Sequence, residues 1–95
     1  MSVYFMASIR IKDPVEYQKY LDHADKVFAR HQGRYLAVDR QPEVLEGEWT
    51  YSRAVLIYFE SKKEFDAWYH SEEYQEILQY RCSAADCDTI LIHST

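Results

Sequence analysis

Two kinds of hydrophobic spacing alternate along the chain, and each predicts a different element. Val3–Ile11 ("VYFMASIRI") is rich in β-branched and aromatic residues and predicts the first strand. Asp13 and Pro14 then predict a helix start, as the N-cap and the first helical position. Apolar positions at intervals of three and four predict one face of that helix: Tyr17, Tyr20, Leu21, Ala24, Val27 and Phe28. We expect Gly33 to end it in the C′ position.

The middle of the chain predicts two further strands and the loop between them. Arg34–Arg40 is predicted as the second strand. Pro42 breaks or bends it, Val44 and Leu45 are expected to continue the pairing, and the Glu-Gly pair that follows predicts a turn. Arg53–Glu60 ("RAVLIYFE") has the clearest strand pattern in the chain and predicts the third strand.

The last third of the chain predicts a broken helix and a final strand. Ser61 is the expected N-cap of the second helix. Ser71 is followed by two glutamates, a pattern typical of a new helix start, so we expect a kink or short break there. The apolar face of this helix consists of Phe65, Trp68, Tyr69, Tyr74, Ile77, Leu78 and Arg81. Asp88–His93 ("DTILIH") predicts the last strand.

The predicted order is β-α-β-β-α-β, which is typical of a ferredoxin-like fold of the α+β class. Short connections and a length of 95 residues predict a single ferredoxin-like domain spanning residues 1–95.

The strands do not alternate cleanly between apolar and polar residues. In the third strand Val55 and Ile57 lie on one face, and Leu56 and Tyr58 lie on the other. Strands that are apolar on both faces belong to a sheet that is covered on both sides. Two helices cover one side only, so we expect a second copy of the chain to cover the other. The sequence therefore predicts a homodimer that associates through its sheet face.

Charge and composition exclude several classes of partner. The net charge of −5 and the lack of a basic cluster argue against nucleic acid and against an anionic membrane surface as partners. The N-terminal residues do not resemble a signal peptide, so we expect a cytoplasmic protein. Cys82 and Cys87 are then free thiols. We expect no metal and no cofactor, the alternative being a metal site assembled from His70, Cys82, Cys87 and His93.

Five residues are candidates for a ligand-binding site. Arg53 opens an apolar strand, and Arg81 ends an apolar helix face. A buried arginine needs an acceptor, which is either an internal carboxylate or an anionic or carbonyl group of a ligand. Trp68, Tyr69 and Tyr74 are either ordinary core residues or the wall of a pocket in which their polar tips meet a ligand or water.

Three segments together resemble an uncharacterised family, the domain of unknown function numbered thirteen-thirty. They are "GRYLAVDRQPEVLEGEW", "RAVLIYF" and "AWYHSEEYQEIL", the last followed by an arginine and an Ala-Ala pair. The resemblance covers nearly the whole chain, and the matching positions include Trp49, Arg53, Trp68, Tyr69, Ser71, Tyr74 and Arg81.

The resemblance implies a dimeric α/β barrel, in which the sheets of two ferredoxin-like protomers face each other and the helices lie outside. It also implies a cleft between helices and sheet. Related proteins of this superfamily include cofactor-free monooxygenases of polyketide metabolism, lactone isomerases and haem-dependent proteins.

Two functions follow as alternatives. The first is a metal-free enzyme, monooxygenase- or isomerase-like, that acts on a carbonyl or phenolic compound. In it Arg53 and Arg81 hold a carboxylate or enolate oxygen, a tyrosine donates a hydrogen bond, and Trp68 forms an apolar wall. The second is a non-catalytic metabolite-binding or assembly module, which is favoured by the lack of an evident general base.

Overall fold

The computed structural model describes all residues, 1–95, and its elements follow the βαββαβ order with the second helix divided in two. They are β1 (Val3–Ile11), α1 (Pro14–Phe28), β2 (Arg34–Asp39), β3 (Arg53–Phe59), α2 (Lys62–Tyr69), α3 (Glu72–Ala84) and β4 (Ala85–His93). The predicted ferredoxin-like α+β fold is confirmed. No helix is both long and apolar enough to span a bilayer.

The four strands form one antiparallel sheet in the order β2-β3-β1-β4. Central strand β1 pairs with β3 and with β4, so that Val3 lies between Phe59 and His93. Alternate residues of β1 and β3 point to the helices and form the core with them. The buried members of these two strands are Val3, Phe5, Ala7, Ile9, Val55, Ile57 and Phe59.

Serine and aspartate side chains begin all three helices, as the sequence predicts. The Asp13 carboxylate accepts a hydrogen bond from the Glu16 amide, and the Ser61 hydroxyl accepts one from the Glu64 amide. Ser71 lies at the predicted break between α2 and α3. Its hydroxyl accepts from the amide of Tyr74 at 3.1 Å and donates to the carbonyl of Trp68 at 2.8 Å, so one side chain joins the two helices.

The prediction that Gly33 ends α1 in the C′ position is wrong. The helix ends at Phe28 with Ala29 as a right-handed C-cap, and Gly47 is the glycine with a positive φ, 80°. Gly33 is needed for another reason. A Cβ atom there would lie 2.6 Å from ring atoms of both Phe28 and Phe59, so only glycine lets the backbone approach these rings.

Two strand boundaries also differ from the prediction. β4 begins at Ala85 rather than Asp88, because the long β1 offers pairing partners as far as Ile11. β2 ends at Asp39, and Val44 and Leu45 are exposed residues of the following loop rather than a continued strand. The proline in that loop has no N–H for a ladder, which fits the early end of β2.

The sheet surface that faces away from the helices is apolar, and we call it the open sheet face. Two neighbouring rows cross it, with Tyr4 between Tyr58 and Ile92, and Met6 between Leu56 and Ile90. Met6, Ile90 and Ile92 are 38%, 56% and 41% exposed, respectively. No other element of the chain covers these rows, because the helices pack on the opposite face.

Candidate functional site

A cavity of about 490 Å³ lies between α1 and the helix-facing side of the sheet. Twelve of its 17 lining residues are hydrophobic. Its polar and charged members are Gln18, Asp25, Arg40, Arg53 and Arg81, and three tyrosines add hydroxyl groups to the wall. Three arginines face one aspartate, so the formal charge of the wall is positive. A mostly apolar cavity with a few convergent polar groups is typical of a small-molecule site.

Arg81 is the only charged residue in the buried core. Its side chain follows Tyr74, Ile77 and Leu78 on the inner face of α3, and the residue is 4% exposed. None of the ion pairs in the structure includes Arg81, and its Nε atom has no hydrogen-bond partner. The internal carboxylate that a buried arginine ordinarily needs is therefore absent, and Arg81 is part of the cavity wall.

Two tyrosine hydroxyls form the immediate polar surroundings of Arg81. Its Nη1 atom donates to the Tyr74 hydroxyl at 3.4 Å, and that oxygen lies 2.7 Å from the Tyr20 hydroxyl. The guanidinium carbon also lies 5.8 Å from the centre of the Tyr20 ring, within the range of a cation–π contact. Tyr20 is in turn part of the cavity wall.

The pKa values of these groups follow from burial and from one another. Burial is the largest influence on the pKa of the Arg81 guanidinium and lowers it, but Tyr74, Tyr20, Cys87 and Tyr69 together raise that pKa by more, so its net shift is upward. Burial raises the pKa of Tyr74 to about 12 and is opposed by the charge of Arg81. Burial also raises the pKa of Tyr20 and of Tyr17, the latter against the charges of Arg53 and Arg81. All three hydroxyls are therefore protonated donors at neutral pH.

Arg53 lies in the wall of the same cavity. It is the first residue of β3, pairs with Ile9 of β1, and shares the helix-facing side of the strand with Val55. It forms no ion pair, and its Nε atom has no hydrogen-bond partner. A second cavity of about 300 Å³ adjoins the first and shares five lining residues with it: Arg53, Arg40, Tyr17, Gln18 and Leu21. Arg53 thus lies where the two cavities meet.

The structure places three of the five predicted site residues in the wall of the larger cavity: Arg53, Trp68 and Arg81. The Trp68 indole is 2% exposed, packs against the Tyr74 ring at 4.3 Å, and has an Nε1 donor without a partner. Tyr74 lies behind the wall, and its hydroxyl contacts two wall residues, Tyr20 at 2.7 Å and Arg81 at 3.4 Å. Tyr69 is outside the wall and stacks on Phe65 at 5.2 Å.

Sequence reasoning did not identify the residues of α1 that form the opposite wall, above all Tyr17 and Tyr20. Both are predicted only as members of one helix face, because their helical spacing is that of any buried face. Their hydroxyl groups are the signal in the sequence that could have indicated a cavity wall, since a buried tyrosine needs a partner for its O–H. No group of three or more His, Cys, Asp or Glu residues is arranged to hold a metal ion, so the alternative set of His70, Cys82, Cys87 and His93 does not come together.

One protein family matches nearly the whole chain. Residues 2–95 match the model of a domain of unknown function, DUF1330. The chain belongs to this family. No curated protein matches the sequence of this DUF1330 domain.

Solved structures resemble this DUF1330 domain in fold. A protein of unknown function from Rhodopseudomonas palustris, RPA0582, has a TM-score of 0.80 at 18% identity, with 99% of this chain and 82% of that chain covered. A dimeric ferredoxin-like protein of unknown function from Thermobifida fusca has a TM-score of 0.71 at 17% identity, with coverage of 99% and 92%. SnoaB from Streptomyces nogalater, a cofactor-independent oxygenase, has a TM-score of 0.71 at 13% identity, with coverage of 99% and 93%.

Proposed function

We propose that the cavity beneath α1 binds a small organic compound through a carboxylate, enolate or phenolate oxygen. The observation that carries this proposal is Arg81, a 4% exposed cation that has no carboxylate partner and lines an apolar cavity. A ligand anion would supply the missing counter-charge of Arg81. Arg53 would contact the same ligand oxygen or a second one. Apolar and aromatic walls suit a hydrocarbon or aromatic body.

The binding part of this proposal is tested with a matched pair of ligands. Cinnamate and the neutral cinnamyl alcohol have similar bodies and differ in charge. Isothermal titration of the wild-type protein should show at least tenfold tighter binding of cinnamate, because a charge-assisted hydrogen bond contributes about 1.5–3 kcal/mol. Arg81→Met should greatly reduce this preference, since only Arg53 then remains to contact the anion. Arg30→Met is the control, since it removes an exposed arginine that pairs with Glu73 outside the cavity. Equal affinity for the two compounds would contradict the proposal.

We further propose a metal-free enzyme that acts on a carbonyl or phenolic compound, monooxygenase- or isomerase-like. The likeness to SnoaB, a cofactor-independent oxygenase, supports it at the level of the fold. Proton abstraction needs a base, and Asp25 is the only acidic residue in the cavity wall. With phenylacetone in deuterium oxide, the wild-type protein should speed hydrogen–deuterium exchange beside the carbonyl. Asp25→Asn should lose this exchange and still bind cinnamate.

The second candidate is a non-catalytic metabolite-binding module. The tyrosines of the wall favour this function. Burial raises the pKa of Tyr17, Tyr20 and Tyr35, so their hydroxyls stay protonated at neutral pH and cannot act as bases. Retained cinnamate binding without deuterium exchange into phenylacetone and without oxygen uptake in the presence of a phenol would favour this function over the enzyme.

We propose that the domain is a homodimer joined through its open sheet face. The apolar rows around Tyr4 and Met6 support this, and so does the dimeric state of the ferredoxin-like neighbour from Thermobifida fusca. Native mass spectrometry of the purified protein should give a species of twice 11.4 kDa. Any extra mass lost on denaturation would be a first indication of the natural ligand. The cytoplasmic location expected from the sequence remains a prediction.

A further inference from the structure

The hydrogen atoms of the Tyr20–Tyr74 pair can be assigned from the donors and acceptors around them. A guanidinium group has only donors, so Tyr74 must present its oxygen lone pairs to Nη1 of Arg81, 3.4 Å away. The Tyr74 hydroxyl has one other neighbour within hydrogen-bond distance, the Tyr20 oxygen at 2.7 Å. Either hydroxyl of this pair has the geometry to be the donor.

The two possible directions of the hydrogen bond between Tyr20 and Tyr74 differ in which hydroxyl proton is left without an acceptor. If Tyr20 donated to Tyr74, the Tyr74 proton would have no acceptor, and Tyr74 is only 1% exposed. A buried donor without an acceptor is costly. If Tyr74 donates to Tyr20, the unpaired proton belongs to Tyr20 instead, whose side chain lines the cavity. The second arrangement leaves its free donor where a ligand can accept it.

We propose that Tyr20 is the hydroxyl that donates a hydrogen bond to the bound ligand and that Tyr74 is the positioning residue that directs its proton into the cavity. Arg81, besides its own proposed contact with the ligand, fixes the direction of the Tyr74 hydroxyl. This inference rests on the proposed function, namely that an oxygen-bearing ligand occupies the cavity. It adds a specificity rule. The hydrogen bonds run from Arg81 to Tyr74 and from Tyr74 to Tyr20, so the Tyr20 hydroxyl presents its proton to the cavity. This part of the wall therefore selects ligand atoms that accept a hydrogen bond, such as carboxylate or phenolate oxygens. It disfavours a ligand N–H or O–H group in the same place.

A phenol with a coloured anion tests the direction of the proton. Para-nitrophenol absorbs visible light as the phenolate, so its ionisation in the cavity can be read directly. The wild-type protein should lower the apparent pKa of the bound phenol relative to that in buffer. Tyr20→Phe should raise that apparent pKa by about one unit relative to wild type and weaken phenolate binding about tenfold, because it removes a hydrogen bond to a charged oxygen. Tyr80→Phe, on the outer side of α3, is the matched control and should change neither value.

The role of Tyr74 is tested by combining the substitutions. Tyr74→Phe keeps the Tyr20 donor but removes the group that directs it, so its effect on the bound phenol should be smaller than that of Tyr20→Phe. The double variant should show less than the sum of the two single effects, because part of the effect of Tyr74 passes through Tyr20. A general loss of stability would not produce this non-additive pattern in the pKa of the probe.

The outcomes separate the two proposals. If the wild-type protein does not bind para-nitrophenolate or lower the pKa of the phenol, both the proposed function and this inference are overturned. If it does so but Tyr20→Phe behaves like Tyr80→Phe, the proposed function stands and the role of Tyr20 is refuted. Additive effects of the two tyrosine substitutions would refute the positioning role of Tyr74.

Discussion

The guanidinium of Arg81 makes a long hydrogen bond to Tyr74 and a cation–π contact with Tyr20, and neither partner is negatively charged at neutral pH. Removing such a cation from water is costly, and a neutral hydroxyl recovers only part of that cost. A residue retained for stability alone would not need a charge here. This environment supports the proposed binding role of Arg81, and it predicts that the charge lowers the stability of the unliganded protein.

This reasoning predicts an unusual result for Arg81→Met. Methionine fills a similar volume with an apolar chain and removes the uncompensated charge, so the free energy of unfolding should stay the same or rise by about 1–2 kcal/mol. Urea unfolding followed by tryptophan fluorescence measures it, with Arg30→Met as the surface control. A loss of more than about 2 kcal/mol would mean that Arg81 holds the core together through Tyr74 and Tyr20.

The buried tyrosines predict a particular response to alkaline pH. Burial raises the pKa of Tyr74 from its ordinary 10.0 to about 12, so below pH 10 the folded and unfolded states are both protonated. Between these two values the unfolded chain loses this proton and the folded one keeps it. Stability should therefore fall as pH rises, by up to about 1.4 kcal/mol per pH unit for each such group.

Urea unfolding at about pH 9 and about pH 11 measures this fall. Tyr74→Phe should make the difference between the two values smaller, because the variant has lost one of the titrating groups. Tyr80→Phe should leave the difference as in wild type. An equal fall in wild type and Tyr74→Phe would mean that the Tyr74 hydroxyl is not held in its protonated form by burial.

Among the secondary-structure elements, α2 and α3 each contribute one residue to the cavity wall, Trp68 and Arg81 respectively. Ser71 sets their relative direction with two hydrogen bonds, one to each helix. Ser71→Ala removes an N-cap and one further bond, so it should lower the free energy of unfolding by about 1–2 kcal/mol. It should also weaken cinnamate binding, since the two wall residues lose their fixed separation.

Ser83→Ala is the control for Ser71→Ala. Its hydroxyl also donates to a backbone carbonyl, that of Tyr80, but it is exposed near the end of α3 and begins no helix. The free energy of unfolding and the cinnamate affinity of the Ser83→Ala variant should remain as in wild type. If Ser71→Ala lowered stability and left binding intact, the angle between α2 and α3 would not govern the site.

The elements were predicted more fully than the site because hydrophobic spacing determines them directly. The strand of Val3–Ile11, the helix start at Pro14 and the break at Ser71 follow from local residues. The role of Gly33 did not, because the Phe59 ring that excludes a side chain there comes from a distant part of the chain. In the same way, helical spacing identifies Tyr20 as inward-facing but does not distinguish core from cavity wall.

At the scale of the whole molecule, the two faces of the sheet have different environments. The helices cover one face and leave the cavity within that layer, while the open sheet face keeps its apolar rows in contact with solvent. An exposed apolar surface of this kind is typical of an interface. A twofold pairing of two open sheet faces would cover both copies at once and would leave both cavities on the helix side.

Ile90→Glu tests this assembly. Ile90 is 56% exposed at the outer end of the Leu56–Met6–Ile90 row, so a glutamate is accommodated in the isolated protomer but would be buried as an unpaired charge in the dimer. We expect the variant to be a folded monomer by native mass spectrometry and by sedimentation at concentrations where the wild type is a dimer. Val15→Glu places the same charge on α1, at a residue that is 78% exposed and remote from the open sheet face, and it should leave the dimer intact. A dimeric Ile90→Glu protein, or a monomeric wild type, would show that the apolar rows serve another partner.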